Sequence, residues 1–132
     1  MKKLIPIQTD LENRLNFQGI DLTDSFILNW YRKDSEFVID LELSVWPKSP
    51  YYENPKDDEF TCYKKGILKF YGIDEITGLV DLNLIPPSLD PDGSKDWEGI
   101  YDFQKEGNRF KFRTEFTEIE IQCDGLEITL ED

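Results

Sequence analysis

Residues 36–45 read Glu36-Phe37-Val38-Ile39-Asp40-Leu41-Glu42-Leu43-Ser44-Val45, closed by Trp46-Pro47. Phe37, Ile39, Leu41, Leu43 and Val45 are apolar at every second position, with Val38, Asp40, Glu42 and Ser44 between them. A period of two marks a β-strand with one buried face, because successive side chains leave the pleat on opposite sides. Upstream, Phe26, Leu28 and Trp30 form a second alternating run, and Arg32-Lys33-Asp34-Ser35-Glu36 supplies a polar turn. The pattern predicts a hairpin across residues 25–46. Burying the five odd-numbered side chains contributes roughly 8–15 kcal/mol gross. A hairpin alone is marginal in water, so other strands must cover its apolar face.

The remaining sequence supplies them. Residues 60–65 and 66–71 read as two strands, or as one strand running past a bulge at Gly66. Ile73 to Leu84 carry an apolar pattern through Gly72 and Gly78, which suits short strands broken by turns. Residues 100–104 and 109–116 flank a Lys105-Glu106-Gly107-Asn108 turn, with Phe110, Phe112, Thr114 and Phe116 on one face. Ile119 and Ile121 repeat the alternation, and Leu126, Ile128 and Leu130 end the chain in a last strand. Near the start, Thr9-Asp10-Leu11-Glu12 has a capping-box pattern with Leu11 and Leu15 four apart, which predicts at most one short N-terminal helix. Residues 17–20 are expected as a short strand and Asp21-Leu22-Thr23-Asp24 as a turn into the hairpin. Many short strands with little helical periodicity imply one mainly β domain over residues 1–132, an antiparallel β-sandwich or a partly open barrel.

Composition narrows the function. The chain carries 28 acidic against 15 basic residues, a net charge of -13. Such a surface repels nucleic-acid phosphates and anionic lipid and attracts a basic protein. With no histidine, Ser/His and Cys/His nucleophilic pairs are excluded within the chain. Cys62 and Cys123 are too few for a disulfide framework and read as buried, reduced thiols. The opening Met1-Lys2-Lys3 lacks the apolar stretch of a secretory signal, and no run is long enough to span a bilayer, so a cytoplasmic protein is expected. No catalytic residues, cofactor or metal ligands are expected.

Two long loops remain as candidate surfaces. The first follows Trp46, where three prolines forbid continued pairing and Tyr51, Tyr52, Asp57, Asp58 and Glu59 combine aromatic and acidic groups. The second contains Asp90-Pro91-Asp92-Gly93-Ser94-Lys95-Asp96-Trp97-Glu98. Its alternating oxygens resemble the first half of a calcium loop, but the glycine is misplaced and Tyr101 stands where a bidentate Glu is needed, so it reads as an acidic turn. Asp57, Asp58, Glu59, Asp90, Asp92, Asp96 and Glu98 are the expected steering charges, and Tyr51, Tyr52 and Trp97 the expected anchors. Asp24-Ser25 reads as a turn cap.

Leu22-Thr23-Asp24-Ser25-Phe26-Ile27-Leu28-Asn29-Trp30, the strand ending in Trp46-Pro47, and Gly66-Ile67-Leu68-Lys69-Phe70-Tyr71-Gly72-Ile73 together resemble a group of small bacterial β-rich proteins that includes immunity proteins of polymorphic toxin systems. The likeness covers the first half of the chain and rests on core residues, so no functional residue carries over. It implies a non-enzymatic bacterial protein and adds some weight to toxin binding. The expected function is therefore an acidic, immunity-like interaction protein. The alternatives are a ligand-binding or carboxylate-dependent enzyme domain with a cleft, and a structural subunit of an assembly; oligomeric state is left open.

Overall fold

The computed structural model describes residues 4–6, 9–11, 15–17, 19–49, 51–57 and 62–131. Among these the chain forms thirteen strands and a single 3-10 turn. The strands are β1 (Leu4–Pro6), β2 (Thr9–Leu11), β3 (Leu15–Phe17), β4 (Ile20–Lys33), β5 (Glu36–Val45), β6 (Cys62–Tyr71), β7 (Glu75–Thr77), β8 (Ser88–Leu89), β9 (Lys95–Asp96), β10 (Tyr101–Glu106), β11 (Arg109–Arg113), β12 (Glu118–Gln122) and β13 (Gly125–Glu131). One sheet has the order β1-β13-β6-β5-β4 and a second the order β10-β11-β12-β7; β2–β3 and β8–β9 are separate small pairs. Every pairing is antiparallel. The two main sheets do not close into a barrel, and they stack face to face as a sandwich.

The alternation in β5 sets the interior. Phe37, Ile39, Leu41, Leu43 and Val45 are all fully buried. Opposite them, Phe110, Phe112, Ile119 and Ile121 point inward from the second sheet and join the same core. An aromatic column crosses the gap: Phe37 on Phe70 at 6.1 Å, Phe70 on Phe112 at 5.9 Å, and Phe112 on Phe103 at 5.3 Å, all nearly parallel. Offset stacks at these separations add to area burial. Cys62 and Cys123 are buried free thiols within the same core.

Five local expectations are corrected. Thr9–Leu11 and Leu15–Phe17 pair as β2 and β3, with Leu11 opposite Leu15, in place of the expected helix; so short a segment cannot offset helix nucleation without packing. Residues 21–24 are not a turn, because β4 runs unbroken from Ile20 to Lys33. It does so by bulging: between the pairs Asp21–Ser44 and Phe26–Glu42 β4 carries extra residues, and Leu28 is left over between Ile27–Leu41 and Asn29–Asp40. The bulges also shift the inward set, so Ile27 and Trp30 are buried while Phe26 and Leu28 are only half-buried. The turn shrinks to Asp34-Ser35, with Asp34 at φ 55, a conformation Asp tolerates. Finally, β6 has no bulge at Gly66: its register with β5 is unbroken from Cys62 to Phe70. The glycine is there because a Cβ would stand 2.5 Å from both Leu43 Cδ1 and the Thr129 carbonyl oxygen.

A polar cluster holds the first bulge. Ser25, fully buried, donates its hydroxyl to the Asp21 carbonyl at 2.6 Å and accepts the Ser44 backbone N–H at 3.0 Å. Ser44 in turn donates its own hydroxyl to Asp24 Oδ2 at 2.9 Å. A side chain thus replaces the backbone partner that the bulge removes from the ladder. On its outer margin the bulge receives Trp97 to Ile100: the Ile27 N–H donates to the Glu98 carbonyl at 2.8 Å, and the Ile100 N–H to the Leu22 carbonyl at 3.1 Å.

Candidate protein-binding surface

The segment between β7 and β10 is built from residues that cannot pair in a long ladder: Pro86, Pro87 and Pro91 each lack a donor. Its first half winds into the 3-10 turn Leu82–Leu84. Asp81 caps that turn by accepting the Asn83 N–H at 2.9 Å. Leu82 plugs into the core, whereas Leu84, two residues on, is 78% exposed. Two indoles hold the turn from either side: Trp30 Nε1 donates to the Val80 carbonyl and Trp97 Nε1 to the Ile85 carbonyl, each at 2.8 Å.

The second half is the β8–β9 hairpin, where Leu89 stands opposite Lys95 and is 68% exposed. At its tip the Asp90 N–H donates to the Ser94 carbonyl at 2.9 Å, and the Ser94 hydroxyl lies 2.6 Å from Asp92 Oδ1 and 3.0 Å from Asp90 Oδ2. The Ser94 side-chain bond, with its backbone N–H at 2.9 Å, holds the Asp92 carboxyl below its ordinary value. At the hairpin base Asp96 is 5% exposed, and burial pushes its carboxyl up, with the Glu98 N–H bond opposing and the charges of Asp90 and Glu98 adding. Glu98, at φ 63, accepts the Ser88 hydroxyl at 2.6 Å.

The structure therefore brings Asp90, Asp92, Asp96, Trp97 and Glu98 together on one hairpin and the segment that leaves it. Asp90 and Asp92 face solvent; Trp97 is half-buried against the core. Tyr51, Tyr52 and Asp57 sit on the other long connection, between β5 and β6, where both tyrosines are half-buried against the core and Asp57 is exposed. Asp58 and Glu59 lie outside the described residues. Leu84 and Leu89, the two most exposed large apolar side chains among the described residues, escaped the sequence reading. Leu89 is a single leucine in a proline-rich polar stretch, but Leu84 ends the alternating run Val80, Leu82, Leu84 and so reads as one more inward side chain.

Beside this segment lies a groove of ≈ 530 Å³, walled by Asn29 to Arg32 of β4 on one side and Leu79 to Asn83 on the other. Its carboxylate is Asp81, committed to the turn cap. The carboxyls pushed up by burial, Asp40 and Asp96, are not among its lining residues. Burial likewise pushes the Cys123 thiol up, the opposite of what activates a nucleophile. Among the described residues no three Asp, Glu, Cys or His side chains are placed to hold a metal ion, and no helix is long and apolar enough to cross a membrane.

The outer face of the second sheet differs in character. Arg109, Lys111 and Arg113 of β11 pair with Glu120, Glu118 and Asp102 at 2.9, 2.9 and 3.0 Å, so its cations are matched across strands. Residues 81–98, by contrast, hold five acidic side chains against the single Lys95. Fold and surface together define an antiparallel β-sandwich with an acidic, leucine-bearing segment along one margin. No family model matches the chain, and neither a curated protein nor a solved structure matches it.

Proposed function

We propose that this chain is a non-enzymatic binding protein of the bacterial cytoplasm, immunity-like in action, that holds a basic protein partner against residues 79–98. The observation that carries this reading is the exposure of two leucines, Leu84 and Leu89, on one connecting segment that also exposes Asp81, Asp90 and Asp92. Apolar anchors rimmed by charge are the anatomy of a docking surface: the anchors supply affinity once desolvated, and the rim steers encounter. A net charge of -13 extends that steering beyond the contact itself and makes it salt-dependent. The indole bonds to Val80 and Ile85 give the surface a fixed shape.

The test is affinity capture from the source cell extract with the wild type and with Leu84→Asp/Leu89→Asp, at low salt and at high salt. A basic protein retained by the wild type, released by salt and lost by the variant is the expected result. Recovery of no basic protein at low salt, or equal retention by the variant, overturns the reading.

A further inference from the structure

The groove between β4 and residues 79–83 has the size of a small-ligand site, ≈ 530 Å³ against roughly 300–1,000 Å³ for such sites. Its two walls are tied to each other. Trp30 on the β4 wall is 6% exposed, lies edge-on to Phe37 at 5.5 Å, and donates its Nε1–H to the Val80 carbonyl of the other wall at 2.8 Å. Asp81, next in the chain, caps the 3-10 turn through Oδ1. The shape of the groove is therefore set before anything enters it, which lowers the ordering cost of binding.

The walls carry opposite charges that do not meet. Arg32 lines the β4 side and Asp81 the other, and no ion pair joins them. Arg109 and Arg113 are each held by a carboxylate, at 2.9 and 3.0 Å. Arg32 instead donates its Nε–H to the Asp34 carbonyl at 3.3 Å, and its two Nη groups have no partner among the described residues. Asp81 accepts the Asn83 N–H on Oδ1 at 2.9 Å, and its Oδ2 likewise has no partner among the described residues. The rest of the second wall is apolar, with Leu79 and Val80 half-buried.

We propose that this groove binds a free α-amino acid with an apolar side chain: carboxylate on the Arg32 guanidinium, ammonium on Asp81 Oδ2, side chain against Leu79 and Val80. The site is independent of the protein-partner reading above and goes beyond it. Charge selects the class of ligand. A plain anion would satisfy Arg32 and be repelled by Asp81, and a plain cation would do the reverse. A small zwitterion satisfies both walls at once, and charge-assisted bonds to carboxylate and ammonium are the strong ones.

The experiment is ¹H–¹⁵N NMR titration of the full chain with L-leucine, beside isocaproate, which lacks the ammonium, and isoamylamine, which lacks the carboxylate. Leucine is expected to shift the Trp30 indole N–H and the amides of residues 29–32 and 79–83, with each analogue binding at least tenfold more weakly. Arg32→Gln is expected to weaken leucine by a similar factor and leave isoamylamine unchanged. Asp81→Asn, which keeps an oxygen for the cap, is expected to weaken leucine and leave isocaproate unchanged. Because the three ligands are compared on the wild type, a misfolded variant does not remove the test. Equal binding of leucine and either analogue, shifts confined to residues outside the groove, or no shift at millimolar leucine overturns the proposal and leaves the partner reading to its own test.

Discussion

Ser25→Ala is the most informative single change in the scaffold, because one hydroxyl holds the bulge on which the candidate surface is mounted. The wild-type Oγ makes two bonds, to the Asp21 carbonyl at 2.6 Å and from the Ser44 N–H at 3.0 Å, and both serines are fully buried. Alanine removes a donor bond worth about 0.5–1.5 kcal/mol and strands the Ser44 N–H in the interior at about 1–3 kcal/mol. The expected loss is about 2–4 kcal/mol, or roughly 6–16 °C in Tm for a domain of this size. Urea unfolding monitored by tryptophan fluorescence measures it, with m unchanged if only the native state is affected. Ser44→Ala is the control: it deletes the part-buried bond to Asp24 but leaves the backbone N–H satisfied, so its cost should be about 1 kcal/mol. A Ser25→Ala variant within about 0.5 kcal/mol of the wild type, or a Ser44→Ala variant equally damaging, refutes the idea that a side chain completes the ladder here.

Three further outcomes are expected. Gly66→Ala drives a methyl into Leu43 and the Thr129 carbonyl at the centre of the five-stranded sheet, so it should destabilise by about 1–3 kcal/mol in the same assay; a neutral result would mean the sheets open readily there. Asp40→Asn should stabilise at neutral pH and not at pH 3. Burial on the outer sheet face, with Glu131 adding, raises the Asp40 carboxyl; a raised native value means stability is full below the ordinary carboxylate range and falls as pH climbs through the native value. Urea midpoints of variant and wild type at the two pH values check this, and a stabilisation that is the same at both would contradict it. Leu84→Asp/Leu89→Asp should change stability by less than about 0.5 kcal/mol, since both side chains already face water; a large loss by calorimetry would show that they are structural instead.

The sequence carried the interior well, because alternation is a direct consequence of burying one face. Every odd-numbered side chain from Phe37 to Val45 is inside, and Phe110, Phe112, Ile119 and Ile121 meet them from the other sheet. What it concealed was β4. Its hydrophobic pattern reads as Phe26, Leu28 and Trp30 on one face, yet the bulge at Leu28 changes which residues point inward, and a bulge is set by the partner strand's register, not by the strand's own residues. Gly66 misled for the opposite reason: a glycine required by a neighbour's side chain looks the same in sequence as one required by the backbone.

The surface was half legible. The acidic character of residues 90–98 follows from composition alone, and those side chains do collect on one hairpin. The one expected aromatic anchor beside it turns inward, however: Trp97 lies against the core and spends its N–H on the Ile85 carbonyl. Aromatic residues are drawn to whichever apolar surface is nearest, and here that surface is intramolecular. The side chains left over, Leu84 and Leu89, are unremarkable in the sequence and become visible only once everything around them has found a partner.

The two indole clamps on Val80 and Ile85 bear on the kinetics of recognition. A loop that must first be sorted out of many shapes sacrifices rotational freedom at the moment of contact, and its capture rate falls accordingly. Residues 80–85 are fastened before any encounter, so that sacrifice has already been made during folding. Loosening either clamp, without touching the leucines, should therefore slow association while leaving the chemistry of the contact intact.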